Sequence, residues 1–418
     1  MTDLSRRKML VGAAASAAAL GVAATAKAAT FGNPDHPAEG AINAKSPTSL
    51  SDPGPQNPEL ASQFPSTQSP PPTDVNGMPE FWASFNNSPK RIQNGGWARQ
   101  VTQDDFAISA DISGVNMRLG KYGIREMHWH QQAEWAFVTE GDCRITTIDE
   151  IGRPQVADVS SGDLWYFPSG LPHSLQGLAE NGTEFLIAFD SGKSSEFNTL
   201  LVTDWLAHTP PEVLAANFGV PVESFKNIPI DNRWIFQGGD PGPLAAAQQA
   251  VASPLGAPTH PFVFSLGKQA PFRQTAGGMV QIADSKNFKA STTVAAALVT
   301  VKPGGMRELH WHPNADEWQY YIKGEARMTV FNTGPQAITN DFRAGDIGYV
   351  KKSLGHYVQN IGNTDLVFLE IFKSDHYAEV SLSDWLTHTP PRMVMETLNI
   401  TPEILAKFPK TRPDIVPV

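Results

Sequence analysis

Two histidines and a carboxylate lie close together in the segment REMHWHQQAEWAFVTEG, residues 125–141. In a β-strand alternate side chains share a face, so His128 and His130 would project together while Trp129 turns away. Glu134 could return to the same face through a bend. Imidazole nitrogen and carboxylate oxygen together suit several divalent metals. For a single copy, the alternative is a chance H-x-H in a polar strand.

The pattern occurs a second time in RELHWHPNADEWQYYIKG, residues 307–324, which supplies His310, His312 and Glu317. A second copy makes a chance origin implausible and predicts two metal sites in one chain. The tryptophan between each histidine pair should face away from the metal, so packing is its expected role.

Segments related by a nearly constant offset extend this match along most of the chain. The offset is 182 at the two H-x-H motifs, 183 between His173 and His356, and 180 between TDWLAHTPP and SDWLTHTPP. Each copy has the length of a domain and is too long for a solenoid repeat. The sequence therefore predicts a tandem duplication, with one domain over residues 77–235 and the other over 236–418.

Composition narrows the class of protein. The formal net charge of −10 argues against a nucleic-acid partner, which would require a basic surface. The single cysteine, Cys143, excludes an internal disulfide, and we expect it to be buried rather than nucleophilic.

The first residues are typical of bacterial export. A basic start with the pair Arg6-Arg7, a mild apolar run and a small-x-small tripeptide ending at residue 28 predict a twin-arginine-type signal peptide over residues 1–28. The mature protein would then be periplasmic or secreted. A membrane anchor is the alternative, but the alanine-rich run is short. Residues 29–76, rich in Pro, Ser, Asn and Gly, are predicted to be a tether or an extended arm.

Short alternating runs such as CRITTI, DLWYFP, ARMTVF and LVFLEIF, bounded by Gly, Asn, Asp and Pro, predict strands at the spacing of a β-sandwich or barrel. Helical pattern is confined mainly to the two DWL segments, where Thr203 and Ser383 are the expected N-caps. The predicted fold class is mostly β with a few short helices.

These motifs resemble the cupin superfamily, whose motifs are G-x5-H-x-H-x3,4-E-x6-G and G-x5-P-x-G-x2-H-x3-N. The resemblance implies two tandem cupin domains, each a double-stranded β-helix or jelly roll. The departures concern turns rather than ligands: they are Tyr122 at the opening glycine, Gly177 at the last Asn, and Lys351 and Ser353 in place of Pro and Gly.

More closely, the chain after residue 76 resembles the bicupin oxalate decarboxylases, through HWH in both copies, DWLAHTP, and FLEIFKSDHYAEVSLSDWL. The resemblance implies an enzyme that uses two Mn ions per chain and dioxygen, acts on oxalate, and assembles as a trimer-based homo-oligomer without stable membrane insertion. It also implies that each metal is held by three histidines and one glutamate. These ligands are His128, His130, Glu134 and His173 in the first copy, and His310, His312, Glu317 and His356 in the second.

An arginine that contacts the substrate is also implied, matching Arg125 and, in the second copy, Arg307. A guanidinium carries a permanent charge and a two-point fork that suits a carboxylate. The alternative for Arg125 is a surface salt bridge.

The proton donor that decarboxylation requires is predicted to be Glu196. The first copy has three extra residues here, since fifteen residues lie between Phe189 and Trp205 and twelve between Phe372 and Trp385. In the family this position is a mobile lid that carries the catalytic acid and has the sequence Ser-Glu-Asn-Ser, whereas this chain has SEFN. The alternative is a solvated loop glutamate.

The second copy lacks the insertion, but Glu370 lies where the family has a further carboxylate near the metal, so we include Glu370 among the catalytic candidates. We expect this second site to be structural or to assist electron transfer. The predicted function is Mn- and dioxygen-dependent conversion of oxalate to formate and CO2 at the first site. The alternatives are an oxalate oxidase, which gives CO2 and hydrogen peroxide, and an exported metal-binding bicupin without turnover.

Overall fold

A computed structural model describes residues 57–75, 77–334 and 336–417. Four antiparallel sheets pair into two β-sandwiches, one for each sequence copy. No helix among the described residues is long and apolar enough to cross a bilayer. The predicted signal peptide and most of the predicted tether lie outside these residues.

The first sandwich contains a seven-stranded and a six-stranded sheet. Its strands are β2 (Arg91–Gln93), β3 (Gly96–Val101), β4 (Ser113–Leu119), β5 (Gly123–Trp129), β6 (Glu134–Glu140), β7 (Asp142–Ile148), β8 (Pro154–Ser160), β9 (Leu164–Phe167), β10 (His173–Gly177), β11 (Thr183–Phe189), β12 (Leu200–Leu201) and β13 (Ile235–Gln237), joined by β14 (Val263–Phe264).

The second sandwich repeats this arrangement. Its strands are β15 (Arg273–Thr275), β16 (Gly278–Ala283), β17 (Ala295–Val301), β18 (Gly305–Trp311), β19 (Glu317–Lys323), β20 (Glu325–Asn332), β21 (Gln336–Arg343), β22 (Asp346–Val350), β23 (Gly355–Asn360), β24 (Leu366–Phe372), β25 (Val380–Ser381) and β26 (Ile415–Pro417), joined by β1 (Trp82–Ser84).

The two halves exchange edge strands. β1 lies in the first half of the chain but pairs with β22 of the second sandwich, and β14 follows residue 235 but pairs with β9 of the first. The shared core continues across this junction, where a Cβ at Gly114 would come within 2.7 Å of the Trp318 side chain. Each sandwich thus contains one strand from the other half of the chain. The predicted boundary between residues 235 and 236 stays a prediction.

Short helices connect the strands. They are α1 (Pro58–Gln63), α2 (Pro65–Gln68), α3 (Val202–Ala207), α4 (Pro211–Phe218), α5 (Leu244–Ala250), α6 (Leu382–Thr387), α7 (Pro391–Leu398) and α8 (Pro402–Leu405). The predicted N-caps were two residues too late. α6 is capped by Ser381, whose hydroxyl accepts from the Asp384 amide at 3.2 Å. In α3 the N-cap position is Leu201, and Thr203 instead bonds Glu126 through both its amide and its hydroxyl.

The described part of the predicted tether or arm packs on the second domain. The Ser66 amide donates to the Asp341 carboxylate at 2.7 Å, and the Thr339 amide donates to Asp74 at 2.9 Å. Both acidic groups are buried. Residues 57–75 therefore form an arm fixed on the second domain.

Two of the turn departures keep the backbone conformation that glycine would have. Tyr122 has φ 61° where the second copy has Gly304 at φ 70°, and Ser353 has φ 68° where the first copy has Gly170 at φ 81°. Residues with a Cβ adopt this left-handed region at a cost of about 1 kcal/mol. Both turns are thus preserved without glycine.

Candidate metal centres and active site

A bulge in β5 brings the predicted arginine to the same face as the predicted ligands. His173 of β10 lies opposite His128, but Leu175, two residues further, lies opposite Arg125, three residues away, so the register shifts by one. Residues directly opposite each other in paired strands share a face. In a regular strand Arg125 and His128, three residues apart, would lie on opposite faces, and the extra residue in the bulge brings them to the same face. β18 and β23 repeat the shift.

The first predicted ligand set converges on one point. The ring centroids of His128 and His173 are 4.2 Å apart, and those of His128 and His130 are 4.8 Å apart. Oε2 of Glu134, the first residue of β6, lies 3.2 Å from Nε2 of His130 and 3.3 Å from Nε2 of His173. One ligand atom from each of the four residues lies within 4.8 Å of the others.

Hydrogen bonds at the outer nitrogens orient these rings. Nδ1 of His128 lies against the backbone oxygen of Glu126, and Nδ1 of His173 lies 2.9 Å from that of Leu171. A carbonyl can only accept, so each Nδ1 carries the proton and each Nε2 presents a lone pair to the centre. This tautomer leaves the Nε2 atoms free to bind a metal.

Burial and the carboxylate set the charge of the first cluster. All four side chains are buried. Burial lowers the pKa of His130 to about 4 and that of His128 well below its usual value. Burial opposes ionisation of Glu134, but its contacts with His173 and His130 hold its pKa well below the usual range. The neutral imidazoles of His128 and His130 beside the ionised Glu134 are donors that suit a divalent cation.

The second predicted set forms a matching cluster. The His310 and His356 ring centroids are 4.2 Å apart, and Oε2 of Glu317 lies 2.8 Å from Nε2 of His356 and 3.3 Å from Nε2 of His312. Nδ1 of His310 and of His312 faces a backbone oxygen, at 2.6 and 2.8 Å.

Both clusters satisfy a test for a bound cation. The Nε2 atoms of His130, His310, His312 and His356 and Oε2 of Glu317 are buried without a hydrogen-bond partner among the described residues. Such groups are costly unless something electropositive satisfies them. Three imidazoles and a carboxylate accept Mn(II) as well as Fe, Co, Ni, Cu and Zn. The residues present therefore fit the predicted metal.

Arg125 lies beside the first cluster without a carboxylate in direct contact. It is buried, and its donors reach two neutral oxygens, the backbone oxygen of Trp234 at 3.1 Å and the Thr199 hydroxyl at 3.0 Å. No ion pair joins Arg125 to a carboxylate among the described residues, so the surface salt bridge considered as an alternative is absent. Burial lowers its pKa to about 10, which still leaves it charged at neutral pH.

Arg307, the counterpart of Arg125, is enclosed by acids. Its Nε donates to Glu370 at 3.1 Å, Nη1 and Nη2 both donate to Glu379, and an Asp414 oxygen lies 4.0 Å away. Burial lowers the pKa of Arg307, but Glu379 and the neighbouring acids raise it well above its usual value. In this structure the donors of Arg307 are engaged by these acids, and its predicted contact with the substrate stays a prediction.

Glu370 is fully buried beside this arginine, and burial raises its pKa to about 7. Burial also acts to lower the pKa of His312, but Glu317, Glu370 and Glu379 outweigh it and raise that pKa. The surroundings of the second cluster are therefore more negative than those of the first.

Glu196 lies in the three-residue turn Glu196–Asn198 and is 4% exposed, so it is not a solvated loop glutamate. Its carboxylate pairs with Arg91 of β2, with Nη2 to Oε2 at 2.6 Å. Its backbone oxygen accepts from the Thr199 hydroxyl at 2.7 Å. Since Thr199 also contacts Arg125, the lid is linked to the first cluster through this hydroxyl.

Sequence reasoning missed several residues at these sites. Aligning the two copies would have indicated most of them. The offset of 180 pairs Thr199 with Glu379 and Trp234 with Asp414, and the offset of 183 pairs Ile187 with Glu370. Each pair joins a neutral residue near the first cluster to an acid near the second. Three further residues were also missed: Arg91, which pairs with Glu196, Tyr377, whose hydroxyl accepts from Arg307 at 2.8 Å, and Arg412, which pairs with Glu379 and Asp414.

The remaining expectations concern packing. Trp129 packs against Trp205 with ring centroids 5.7 Å apart, and Trp311 packs against Trp385 at the same distance. Cys143 is buried, and burial raises the pKa of its thiol far above the range of a nucleophile.

Comparison with known proteins agrees with this architecture. The Cupin family profile matches residues 84–225 and 264–405. The oxalate decarboxylase of Bacillus subtilis (strain 168) is 50% identical over 362 residues, which cover 87% of this chain and 93% of that protein. An oxalate decarboxylase of Arthroderma benhamiae is 38% identical over 392 residues, which cover 87% and 90% of the two chains.

A solved structure of the Bacillus subtilis oxalate decarboxylase, described for its Mn(II) centres, has a TM-score of 0.86 and 48% identity, and covers 91% of this chain and 99% of that one. The predicted mostly-β, two-cupin fold is confirmed, and so is the predicted family. With two matched cupin repeats, two four-residue metal-binding clusters and extended identity to decarboxylases, the chain belongs to the oxalate decarboxylase family of bicupin proteins.

Proposed function

We propose that this protein converts oxalate to formate and CO2 with Mn and dioxygen, that the reaction occurs at the first cluster, and that Glu196 is the proton donor. The observation that carries the proposal is Arg125, a buried cation beside the His128 cluster whose donors reach only neutral oxygens. A small dianion brings the charge that this guanidinium lacks, and its flat carboxylate fits the fork.

The overall reaction breaks the carbon–carbon bond of oxalate and forms one carbon–hydrogen bond. Oxalate dianion plus one proton gives CO2 plus formate, so no net oxidation occurs. Bound Mn with dioxygen would supply reversible one-electron chemistry, which makes loss of CO2 easier than it is from the intact dianion. The protein must bind the substrate, exclude water and deliver the proton.

Residues around the first cluster suit these tasks. Arg125 binds and polarises the carboxylate that is retained, and Thr199 fixes the guanidinium through the contact at 3.0 Å. Phe189 and Phe167 pack on two of the imidazoles, with ring centroids 4.8 and 4.2 Å from His130 and His173. These apolar walls limit the water that could protonate or intercept the reacting carbon.

Glu196 is the acid available near Arg125 on the lid side. Thr199 ties its backbone to the cluster, and a donor shielded from bulk water can deliver one proton to the carbon that CO2 has left. Without that proton, dioxygen can remove both electrons: oxalate, dioxygen and two protons then give two CO2 and hydrogen peroxide. The balance between decarboxylase and oxidase outcomes therefore depends on Glu196.

Assignment of turnover to the first domain is supported by the charge around the second cluster. Glu370, Glu379 and Asp414 surround Arg307, so its guanidinium is already engaged and is not free to pair with a dianion there. The second metal is then structural or assists electron transfer.

The test is to load the full chain with Mn, supply oxalate and oxygen, and measure formate and peroxide together. Formate in large excess over peroxide is expected. Peroxide without formate would identify an oxidase, and neither product, with oxalate unchanged, would identify a metal-binding protein without turnover.

We also propose export by the twin-arginine route and assembly as a trimer-based homo-oligomer. Replacing Arg6 and Arg7 with lysine should leave unprocessed protein in the cytoplasm, because that pathway recognises the arginine pair. Undiminished export of the double variant would point to another route. Sedimentation of the mature protein should give a mass that is a multiple of three chains, and a monomer would refute the assembly.

A further inference from the structure

An arginine outside the first metal cluster holds the carboxylate of Glu196. Arg91 Nε donates to Oε1 at 3.1 Å and Nη2 donates to Oε2 at 2.6 Å, which fixes both oxygens. Side-chain exposure is 20% for Arg91 and 4% for Glu196, so water competes little with the pair. Neither oxygen bonds Arg125 or a ligand histidine among the described residues.

Arg91 is itself fixed to the sheet. Its Nη1 donates to the side-chain oxygen of Gln93, which also accepts from the Ile235 amide at 3.1 Å. The Arg91 guanidinium lies 5.0 Å from the centre of the Trp234 ring, and that of Arg125 lies 5.5 Å from the same ring. The partner of Glu196 is therefore part of the rigid framework rather than of the lid.

The lid makes a second contact with this framework through Phe197, where the family sequence has Asn. Its ring packs edge-on against Trp234 at 5.5 Å between centroids, and the Glu196 amide donates to the Gln100 side chain at 2.9 Å. On the other side, Glu196 and Phe197 border a cleft of about 590 Å³ whose lining includes neither Arg125 nor any of the metal ligands. Both carboxylate oxygens of Glu196 are thus held by Arg91 at the edge of this cleft and bond none of the metal ligands among the described residues.

We propose that Arg91 is a positioning residue that latches the lid, holding both side-chain oxygens of Glu196 against the framework and out of contact with the substrate until the lid is released. The proposal rests on the proposed role of Glu196 as proton donor. While the Arg91 guanidinium holds both carboxylate oxygens of Glu196, neither oxygen is free to reach the carbon that CO2 leaves, so the latched lid is not competent for protonation. The populations of latched and released lid then set the rate.

The second domain shows why the first uses its lid in this way. Arg273, related to Arg91 by the offset of 182, pairs with Asp414 at 3.1 Å. The position of Asp414 in the first domain is Trp234, which offers no charge. Arg91 lacks that acidic partner, and the inserted lid supplies Glu196 instead. Arg273, 47% exposed at its side chain, is therefore the matched control.

The first measurement is hydrogen–deuterium exchange of residues 191–199 in the full Mn-loaded chain without oxalate. Arg91→Gln should speed exchange in this segment on the order of tenfold, since it removes a two-point charged hydrogen bond. In Arg91→Lys, which keeps the charge but loses the two-point hydrogen bond, the exchange rate should lie between those of the unmutated protein and Arg91→Gln. In Arg273→Gln the exchange rate should equal that of the unmutated protein. Combining Arg91→Gln with Glu196→Gln should add no further increase beyond either change alone, because both remove the same pair.

The second measurement is kcat and KM for formate production. Releasing the latch should raise kcat several-fold with KM little changed, because the bound state is competent more often, and it should lower the ratio of peroxide to formate. An unchanged thermal unfolding midpoint for Arg91→Lys guards against a general loss of structure.

Lid exchange in Arg91→Gln equal to that in Arg273→Gln would overturn the latch. Faster exchange combined with a lower kcat would overturn it too, because Arg91 would then hold Glu196 in its working position. Failure of the proposed function looks different: the unmutated protein would make no formate, whereas the exchange comparison would still decide whether Arg91 restrains the lid.

Discussion

The two metal clusters share a ligand set but differ in the charge that surrounds it. Each has three histidines and a glutamate drawn from equivalent strands, and each has an arginine brought to the same face by the same bulge. Around Arg125 three equivalent positions are neutral, and around Arg307 they are acidic. These positions are Ile187, Thr199 and Trp234 in the first domain, and Glu370, Glu379 and Asp414 in the second.

This difference separates holding a metal from binding an anion beside it. One cation would satisfy the ligands of each cluster, and the same ligand types are present in both. An unpaired buried guanidinium is costly and is retained where a substrate supplies the missing charge. Where the protein supplies that charge itself, as around Arg307, the arginine stabilises the fold. The two copies thus share the metal ligands and differ at three positions around the arginine, which are neutral in the first domain and acidic in the second.

Removing one ligand from each cluster is the strongest way to break the comparison. Mn-loaded protein should contain about two ions per chain, and His130→Ala and His312→Ala should each remove about one. Formate production should fall to background in His130→Ala and should fall less in His312→Ala, where the cluster that turns over is intact. Metal analysis and product assay on the same samples check this, and a single ion in the saturated, unmutated protein would contradict the two-site assignment.

The proton donor should show the next largest effect. Glu196→Gln should lower formate production about 10²- to 10⁴-fold, the range for general acid–base groups, with both metals retained and peroxide unchanged or increased. Glu370→Gln is the matched change near the second cluster and should have a much smaller effect. If Glu370→Gln abolished formate while Glu196→Gln did not, catalysis would belong to the second domain.

The acids around Arg307 should matter for stability. Glu379→Thr installs the residue of the first domain and leaves a buried cation with less compensation, so unfolding free energy should fall by about 3–5 kcal/mol. Denaturant titration of metal-loaded protein measures it. A change below about 1 kcal/mol would show that Glu370 and Asp414 suffice for Arg307.

The reciprocal change introduces an acid of the second domain into the first. Thr199→Glu places at the first cluster the acid that engages Arg307 at the second, so the fork of Arg125 should be filled and like charges should oppose oxalate. We expect KM for oxalate to rise about 10- to 100-fold with Mn content unchanged. Thr199→Gln, which adds similar bulk without charge, is the control, and equal effects of both variants would exclude an electrostatic cause.

Patterns that depend on local geometry were predictable from the sequence. The two-residue spacing of His128 and His130 predicted that their side chains lie together, and they do although β5 ends at Trp129 between them. The repeat identified His173 and His356 as partners. The strand signals and the turn positions gave the mostly-β class. The left-handed turns at Tyr122 and Ser353 survived loss of glycine because the surrounding strands fix the chain direction.

Contacts between distant segments were decided only by the tertiary structure. A regular strand would place Arg125 and His128, three residues apart, on opposite faces, and only the pairing of β5 with β10 reveals the bulge that unites them. Trp234 reaches Arg125 across 109 positions and Arg91 reaches Glu196 across 105. No local periodicity encodes such contacts. The sequence by itself determined which residues can hold metal, because ligand spacing is local, whereas charge compensation around each cluster depends on how separate strands pack together.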